Sequence, residues 1–285
     1  MGAVFVTGAT GTVGSAVVRQ LATAGVPVIA AVREPSSRQG REHVTARRFE
    51  YGLPAEQLEE ALDGADRLFL MRPPAIADVE ATLFPLIDAA NRLGLRQIVF
   101  LSLQGVQTNR ATPHHAVEQY LRRTGSPYTH LRPNFFMQNL ATTYAGHIRQ
   151  AGRIFVPAGR ARTAFIDADD VGRVAATVLT QPGHLKRAYT LSGEESLTYR
   201  QVARIMTDVL GRPISYARPS EDDYLESLRR QGQPADYITV QKMIHRVVRL
   251  NVSAFPNRSV RRLTGTPATT LAQFVADHRH TWDPI

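Results

Sequence analysis

The chain opens with Val4-Phe5-Val6 and passes at once into Thr7-Gly8-Ala9-Thr10-Gly11-Thr12-Val13-Gly14. A buried strand followed by a glycine-rich turn and an amphipathic helix is the form of the first βα junction in a dinucleotide-binding unit. Gly8 suits the tight turn, Gly11 leaves the backbone open to a pyrophosphate, and Gly14 lets the helix lie close on the strand. Phosphates placed there meet the free N–H groups of Thr12 and Val13 at the positive end of the helix dipole, with Thr10 in the same turn and no basic side chain required.

The helix is expected to reach about Ala24, with Gly25 past its end, and Pro27 to Val32 to form a second strand that ends at Arg33. A chain selecting NAD places an Asp or Glu about 20 residues past the glycines, on the ribose hydroxyls. Arg33 stands there instead. Its guanidinium either pairs with a 2′-phosphate, helped by Ser36, Ser37 and Arg38, or merely ends the strand in solvent; the first reading makes NADP the expected cofactor, with NAD open.

With 285 residues, 43% hydrophobic and 21% charged, the chain has the composition of a globular protein able to bury a full core. It has no cysteine, which excludes disulfides, thiolate nucleophiles and Cys-ligated metal centres and agrees with a reducing cytoplasm. No signal peptide and no membrane span is expected. The 34 basic residues exceed the 25 acidic ones, but the arginines are scattered and no nucleic-acid-binding motif accompanies them, so no nucleic-acid partner is expected.

Apolar strands and amphipathic helices then alternate: a helix over Leu53 to Leu62, a strand over Arg67 to Met71, a long helix over Ile76 to Leu93, a strand over Gln97 to Ser102, a helix capped by Thr112 with Pro113 in its first turn, and a strand over Tyr128 to Leu131. A helix over Asn134 to Gln150, one over Asp167 to Thr180 and a strand at Tyr189 to Leu191 follow. The expected architecture is α/β, a doubly wound parallel sheet, with a smaller, mainly helical C-terminal lobe. The core is expected to comprise 1–133 plus 165–192, and the substrate-side lobe 134–164 plus 193–285. In that lobe Thr198 with Gln201, Ser220 with Asp223 and Thr270 with Gln273 carry capping signatures. Ligands of such sheets bind beyond the carboxyl ends of the strands, here Gly8 to Gly14, Arg33, Met71 to Pro74, Ser102 to Val106 and Pro133 to Phe136.

Those residues resemble an NmrA-like atypical short-chain dehydrogenase/reductase. The likeness rests on the glycine motif, Phe69-Leu70-Met71-Arg72-Pro73-Pro74, Leu101-Ser102 with Gly105-Val106, Pro113-His114-His115 with Glu118, Leu131-Arg132-Pro133-Asn134-Phe135-Phe136-Met137-Gln138-Asn139, and Phe165-Ile166-Asp167 with Asp170. The resemblance implies a Rossmann core, NADP or NAD, and one of two roles: reduction of quinones and related aromatic electrophiles, or redox sensing for a regulatory partner. Bacterial members also tailor aromatic polyketides. Mainstream short-chain dehydrogenases carry Tyr-x-x-x-Lys where this chain has Arg110 and His114, so no phenol is present to protonate an alkoxide. A quinone asks for less, because the hydroquinone anion is stabilised by its own ring and positioning carries much of the rate.

The candidate catalytic residue is therefore His114, which shares a helix face with Glu118 and either donates a proton, giving a rate that falls as pH rises through about 6.5, or holds the ribose. His115 is a weaker candidate. The cofactor set is Gly8, Thr10, Gly11, Thr12, Val13, Gly14, Arg33, Met71, Arg72, Pro73, Ser102, Asn134 and Phe135. Gln104 and Phe136 are assigned to a small aromatic substrate. Asp167, Asp169 and Asp170 read as helix-start carboxylates rather than a metal site. A homodimer or protein partner stays open.

Overall fold

The computed structural model describes residues 2–35 and 42–283; Ser36, Ser37 and Arg38, expected beside Arg33, lie outside the described residues. In chain order the elements are β1 (Ala3–Val6), α1 (Thr12–Thr23), β2 (Val28–Val32), β3 (Val44–Arg48), α2 (Ala55–Leu62), β4 (Ala65–Met71), α3 (Val79–Thr82), α4 (Phe84–Arg92), β5 (Gln97–Leu101), α5 (Pro113–Arg123) and β6 (Tyr128–Pro133). They continue as α6 (Gln138–Ala141), α7 (Ala145–Ala151), β7 (Arg153–Ile154), β8 (Arg162–Thr163), α8 (Ala168–Thr180), β9 (Arg187–Leu191), β10 (Leu197–Thr198), α9 (Tyr199–Leu210), β11 (Ser215–Tyr216), α10 (Glu221–Arg230), α11 (Ala235–Arg249), α12 (Ser259–Thr264) and α13 (Leu271–Asp277). The chain divides into two compact units, Met1–Pro133 with Ala168–Leu191 and Ser259–Thr266, and Asn134–Asp167 with Ser192–Arg258 and Pro267–Ile285.

The first unit is built on a seven-stranded sheet of order β3-β2-β1-β4-β5-β6-β9 in which every neighbouring pair is parallel. The chain walks one way from β1 to β3, then crosses back over β1 to β4 and walks the other way. The reversal lies between β1 and β4, and a crevice opens at such a point beyond the carboxyl ends of the two strands. One face buries Phe5, Leu68, Leu70, Ile98 and Phe100 against Leu58, Leu86, Val117 and Leu121 of α2, α4 and α5. On α8, Gly172 lies so close to α1 that a β-carbon there would stand 2.8 Å from Ala16 Cβ.

Several elements depart from the sequence expectation. β3 carries two arginines and no strong apolar alternation, yet it pairs with β2 in continuous register from Val28↔Val44 to Val32↔Arg48. As an edge strand it needs only one ladder, and Arg47 Nη1 reaches the carbonyls of Ala61 (2.9 Å) and Asp63 (2.6 Å) at the end of α2, where a cation is favoured. The long helix expected over Ile76 to Leu93 is two helices interrupted at Leu83, because Pro85 has no N–H for the preceding turn. The helix expected over Asn134 to Gln150 is also divided: Phe136 forms a bridge with Ile166, and Thr142 leaves the helical region at φ −123°, ψ −85° between α6 and α7.

The second unit has its own core, in which Met137, Tyr144, Phe165, Tyr199, Met206, Phe274 and Trp282 are buried together. Phe165 to Asp167, expected in the sheet core, belong here, since Phe165 packs into this cluster and Ile166 bridges Phe136; Ser259 to Thr266 belong instead to the first unit, where α12 packs on α8. All three expected capping boxes are formed, at Thr198, Ser220 and Thr270. Trp282 Nε1 donates to the Leu140 carbonyl at 2.9 Å, tying the last turn to α6. No helix among the described residues is long and apolar enough to cross a membrane.

Candidate functional site

At the reversal point Gly8 adopts φ +60°, a conformation that a residue with a side chain rarely takes. The Gly11 N–H donates to Gly8 O at 2.9 Å and closes the turn. An added β-carbon at Gly14 would stand 2.1 Å from that same carbonyl oxygen, so the helix approaches the turn as closely as backbone allows. Gly11 is the N-cap of α1, offers no side-chain cap, and is followed by a first turn without an acidic residue. The initial N–H groups of α1 therefore present an open positive end to an anion from outside the helix. Thr10, Gly11 and Thr12 are exposed around it, whereas Val13 and Gly14 are buried beneath.

Thr7 joins the two strands that flank this turn. Its hydroxyl donates to Phe69 O at 3.0 Å and accepts the Met71 N–H at 2.9 Å, pinning the end of β1 to β4. Tyr51, half-buried against the core, donates its hydroxyl to Met71 O. Arg33 projects from the end of β2 and is exposed, with no ion pair to any other described residue.

Arg72 points back into its own loop. Its Nη1 donates to the carbonyls of Pro73 (3.1 Å), Pro74 (3.2 Å) and Ile76 (2.5 Å), so this guanidinium shapes the loop after β4 rather than projecting into solvent. It also bears on His114, in the first turn of α5. That imidazole is half-buried with its ring 6.1 Å from Phe100. Burial, and next the positive charge of Arg72, push its pKa down to about 4 against the opposing pull of Glu118. His114 is therefore neutral near neutral pH, and the acid limb expected near 6.5 is moved out of the physiological range. His115 is engaged structurally: its N–H donates to Thr112 Oγ1 and its Nδ1 lies 3.0 Å from Val106 O.

Glu118 acts on His114 only through its charge and makes no hydrogen bond to it, despite their helical spacing. Its buried carboxylate accepts two bonds from Arg132 of β6, Nε to Oε1 at 2.8 Å and Nη2 to Oε2 at 2.5 Å. Burial works to raise the Glu118 pKa, but the Arg132 bonds, with His130 and Ser102 nearby, hold the carboxyl below its usual range. Ser102 continues β5 by donating its N–H to Leu131 O at 2.8 Å, and its buried hydroxyl makes no hydrogen bond to another described residue. The Gln104 N–H donates to Pro133 O at 3.0 Å. The structure thus brings Gly8 to Gly14, Met71, Ser102 and Gln104 to one edge of the sheet.

Asn134, Phe135 and Phe136 belong to the second unit. Asn134 Nδ2 donates to Ser253 O at 2.9 Å, its Oδ1 accepts the Phe135 N–H at 2.8 Å, and Phe135 packs on that unit's core. Asp169 and Asp170 pair with Arg19 and Arg173, and Asp167 accepts from Gln138 at 2.6 Å. Sequence reasoning overlooked the Thr7 clamp and the Glu118–Arg132 pair. Strand alternation gave a signal for the second, since it puts Arg132 on the same face as His130.

A doubly wound parallel sheet with an uncapped glycine turn at its reversal point defines the Rossmann class of dinucleotide folds. Within that class the chain belongs to the NmrA-like family, whose profile matches residues 2–252. It is 31% identical over 285 residues to the NAD(P)H azoreductase of Xenophilus azovorans, covering 96% of this chain and 97% of that one. It is 34% identical over 289 residues to a (4-alkanoyl-5-oxo-2,5-dihydrofuran-3-yl)methyl phosphate reductase of Streptomyces griseus, covering 99% of each. The crystal structure of NADPH-dependent quinone oxidoreductase 2 of Escherichia coli with NADPH superposes with a TM-score of 0.85 at 27% identity, covering 96% of this chain and 98% of that one.

Proposed function

We propose that this chain is an NAD(P)H-dependent oxidoreductase that transfers a hydride to a quinone or related aromatic electrophile, with NADPH preferred. The observation that carries the proposal is the acid-free, uncapped start of α1 packed against Gly8, which suits a pyrophosphate and has no evident structural use otherwise. The named activities of the azoreductase, the furanone phosphate reductase and the quinone oxidoreductase support the reaction class. The bound dinucleotide supplies the hydride. Thr12, Val13 and Gly14 hold its phosphates through backbone N–H groups, and Arg33 pairs with the 2′-phosphate. His114, neutral and fixed beside Phe100, acts as a hydrogen-bonding group for a ribose or substrate oxygen and leaves protonation of the product to water. The cytoplasm is the proposed location, in keeping with the absence of cysteine.

Two measurements test this reading. Arg33→Asp is expected to weaken NADPH by about tenfold or more while leaving NADH nearly unchanged, because a charge-assisted bond contributes roughly 1.5 to 3 kcal/mol. Equal loss for both nucleotides in a fluorescence titration removes the NADP preference. NADPH oxidation against benzo-, naphtho- and anthraquinones is expected to show turnover whose rate does not titrate near pH 6.5. Tight nucleotide binding without turnover on any of them would replace the enzyme with a nucleotide sensor.

A further inference from the structure

A second cleft, about 480 Å³ in volume, opens at the other end of the first unit's sheet, beneath the amino ends of β4 and β5 and beside the end of α8. Arg67 and Gln97, paired across β4 and β5, line it, with Arg96, Thr180, Pro182, His184 and Leu185 among the residues around them. Met71 lies four residue steps along β4 from Arg67, about 13 Å at the strand's rise, so the cleft is remote from the glycine turn.

Arg67 is unusual for a parallel strand, being only 7% exposed. Its Nη1 pairs with Asp66 Oδ1 at 2.8 Å, while its Nε and Nη2 make no hydrogen bond to another described residue. Asp66 is shared, since Arg96 Nη1 lies 3.5 Å from its other oxygen and the Gly2 N–H donates to it at 3.2 Å. Two guanidiniums thus face one carboxylate and the half-negative end of α8, which leaves positive charge in excess. The rim is held in place: Gln97 Nε2 donates to Thr129 Oγ1 at 2.8 Å, Thr129 donates to His184 O at 2.8 Å, and His184 Nδ1 lies 2.8 Å from the Tyr189 hydroxyl. Pro182 and the exposed Leu185 add an apolar edge.

We infer that this cleft binds a small organic oxyanion, a carboxylate or phosphate whose oxygens meet the Arg67 fork and whose body lies on Pro182 and Leu185. A nearly buried guanidinium fork at the wall of an open, partly apolar cleft matches such a group in a way that a flexible surface lysine does not. The site is independent of the dinucleotide reading.

Calorimetric titration at low salt with benzoate and with inorganic phosphate, run separately, tests it. Saturable binding of one equivalent is expected. Arg96→Gln, at an exposed position, and Arg67→Lys, which keeps the charge but loses the fork, are each expected to weaken it about fivefold to tenfold. The same titration with the glycine turn saturated by NADPH is expected to give the same affinity, which separates the cleft from the phosphate cradle at the start of α1. Tighter benzoate assigns the natural ligand to carboxylates, and tighter phosphate to phosphate esters. Lack of saturable binding by either probe overturns the site, as does binding that survives Arg96→Gln and Arg67→Lys at wild-type strength.

Discussion

Gly14→Ala is expected to weaken dinucleotide binding by about a hundredfold and to lower the melting temperature at the same time. The new β-carbon would stand 2.1 Å from Gly8 O and 2.6 Å from Gly8 C, both backbone atoms of the turn itself. No rotamer change relieves such a contact. Either α1 moves off β1 or the turn opens and loses the Gly11 N–H to Gly8 O bond, and overpacking of this kind costs about 1 to 3 kcal/mol. Because the turn is also the phosphate cradle, the same displacement is read in affinity, where about 2.7 kcal/mol corresponds to a hundredfold. Gly11→Ala is the informative comparison: its β-carbon meets Gly8 O at 3.3 Å and its φ of −81° suits any residue. Gly11→Ala is expected to fold as the wild type and to lose affinity only through crowding of the ligand. Gly14→Ala binding NADPH within threefold of wild type would show that the turn is not the cradle.

What was legible in the sequence is what local pattern dictates. β1, β2 and β5 are nearly continuous apolar runs because parallel strands are covered on both faces, and the glycine turn announces itself by its place between such a run and a helix. β3 was not legible, since an edge strand tolerates Arg47 and Arg48 and its pairing is set by β2, not by its own alternation. Pro85 stood in plain view, yet the amphipathic pattern of the flanking residues runs through it and hides the break. The site shows the same division. Backbone roles at Gly8 and Gly14 follow from residue type, whereas the fate of a charged side chain depends on partners distant in sequence. Glu118 looked like a companion to His114 at helical spacing and instead meets Arg132 across the α5–β6 packing. Arg72, a candidate cofactor contact, has its Nη1 on carbonyls of its own loop, while its buried Nε has no hydrogen-bond partner among the described residues. His114 looked like a group titrating near neutrality, and burial beside Arg72 removes that.

Acidification from pH 6.5 to pH 4 is expected to remove several kcal/mol of stability, through histidines buried in the neutral form in both units. His130 on β6 is fully buried, stacked on Tyr128 at 4.4 Å with Phe100 edge-on at 6.2 Å, and neither ring nitrogen has a hydrogen-bond partner among the described residues. Burial first, with Arg132 and Arg122 in support and Glu118 in opposition, pushes its pKa down to about 4. His245 on α11 is 1% exposed beside Tyr144 and Tyr224, and burial with Arg249 pushes it to about 4 as well, against Glu221. In the unfolded chain both titrate near 6.5. Between pH 4 and 6.5 the unfolded state therefore binds more protons than the native state, so stability rises with pH across that window and is lost as pH falls through it. A displacement of this size corresponds to about 3 kcal/mol per histidine, a large share of the roughly 5 to 15 kcal/mol that holds a typical domain folded. His114 adds to the loss in the same direction, and the lowered pKa of Glu118 extends it below the unfolded carboxylate range. Urea midpoints should be level above pH 6.5 and fall steeply toward pH 4, and His130→Phe, which keeps a ring between Tyr128 and Phe100, should flatten the part of that slope carried by the first unit. Midpoints that stay constant down to pH 4.5, or a slope unchanged by His130→Phe, would mean that His130 finds a proton-accepting partner in the folded protein and is not held neutral.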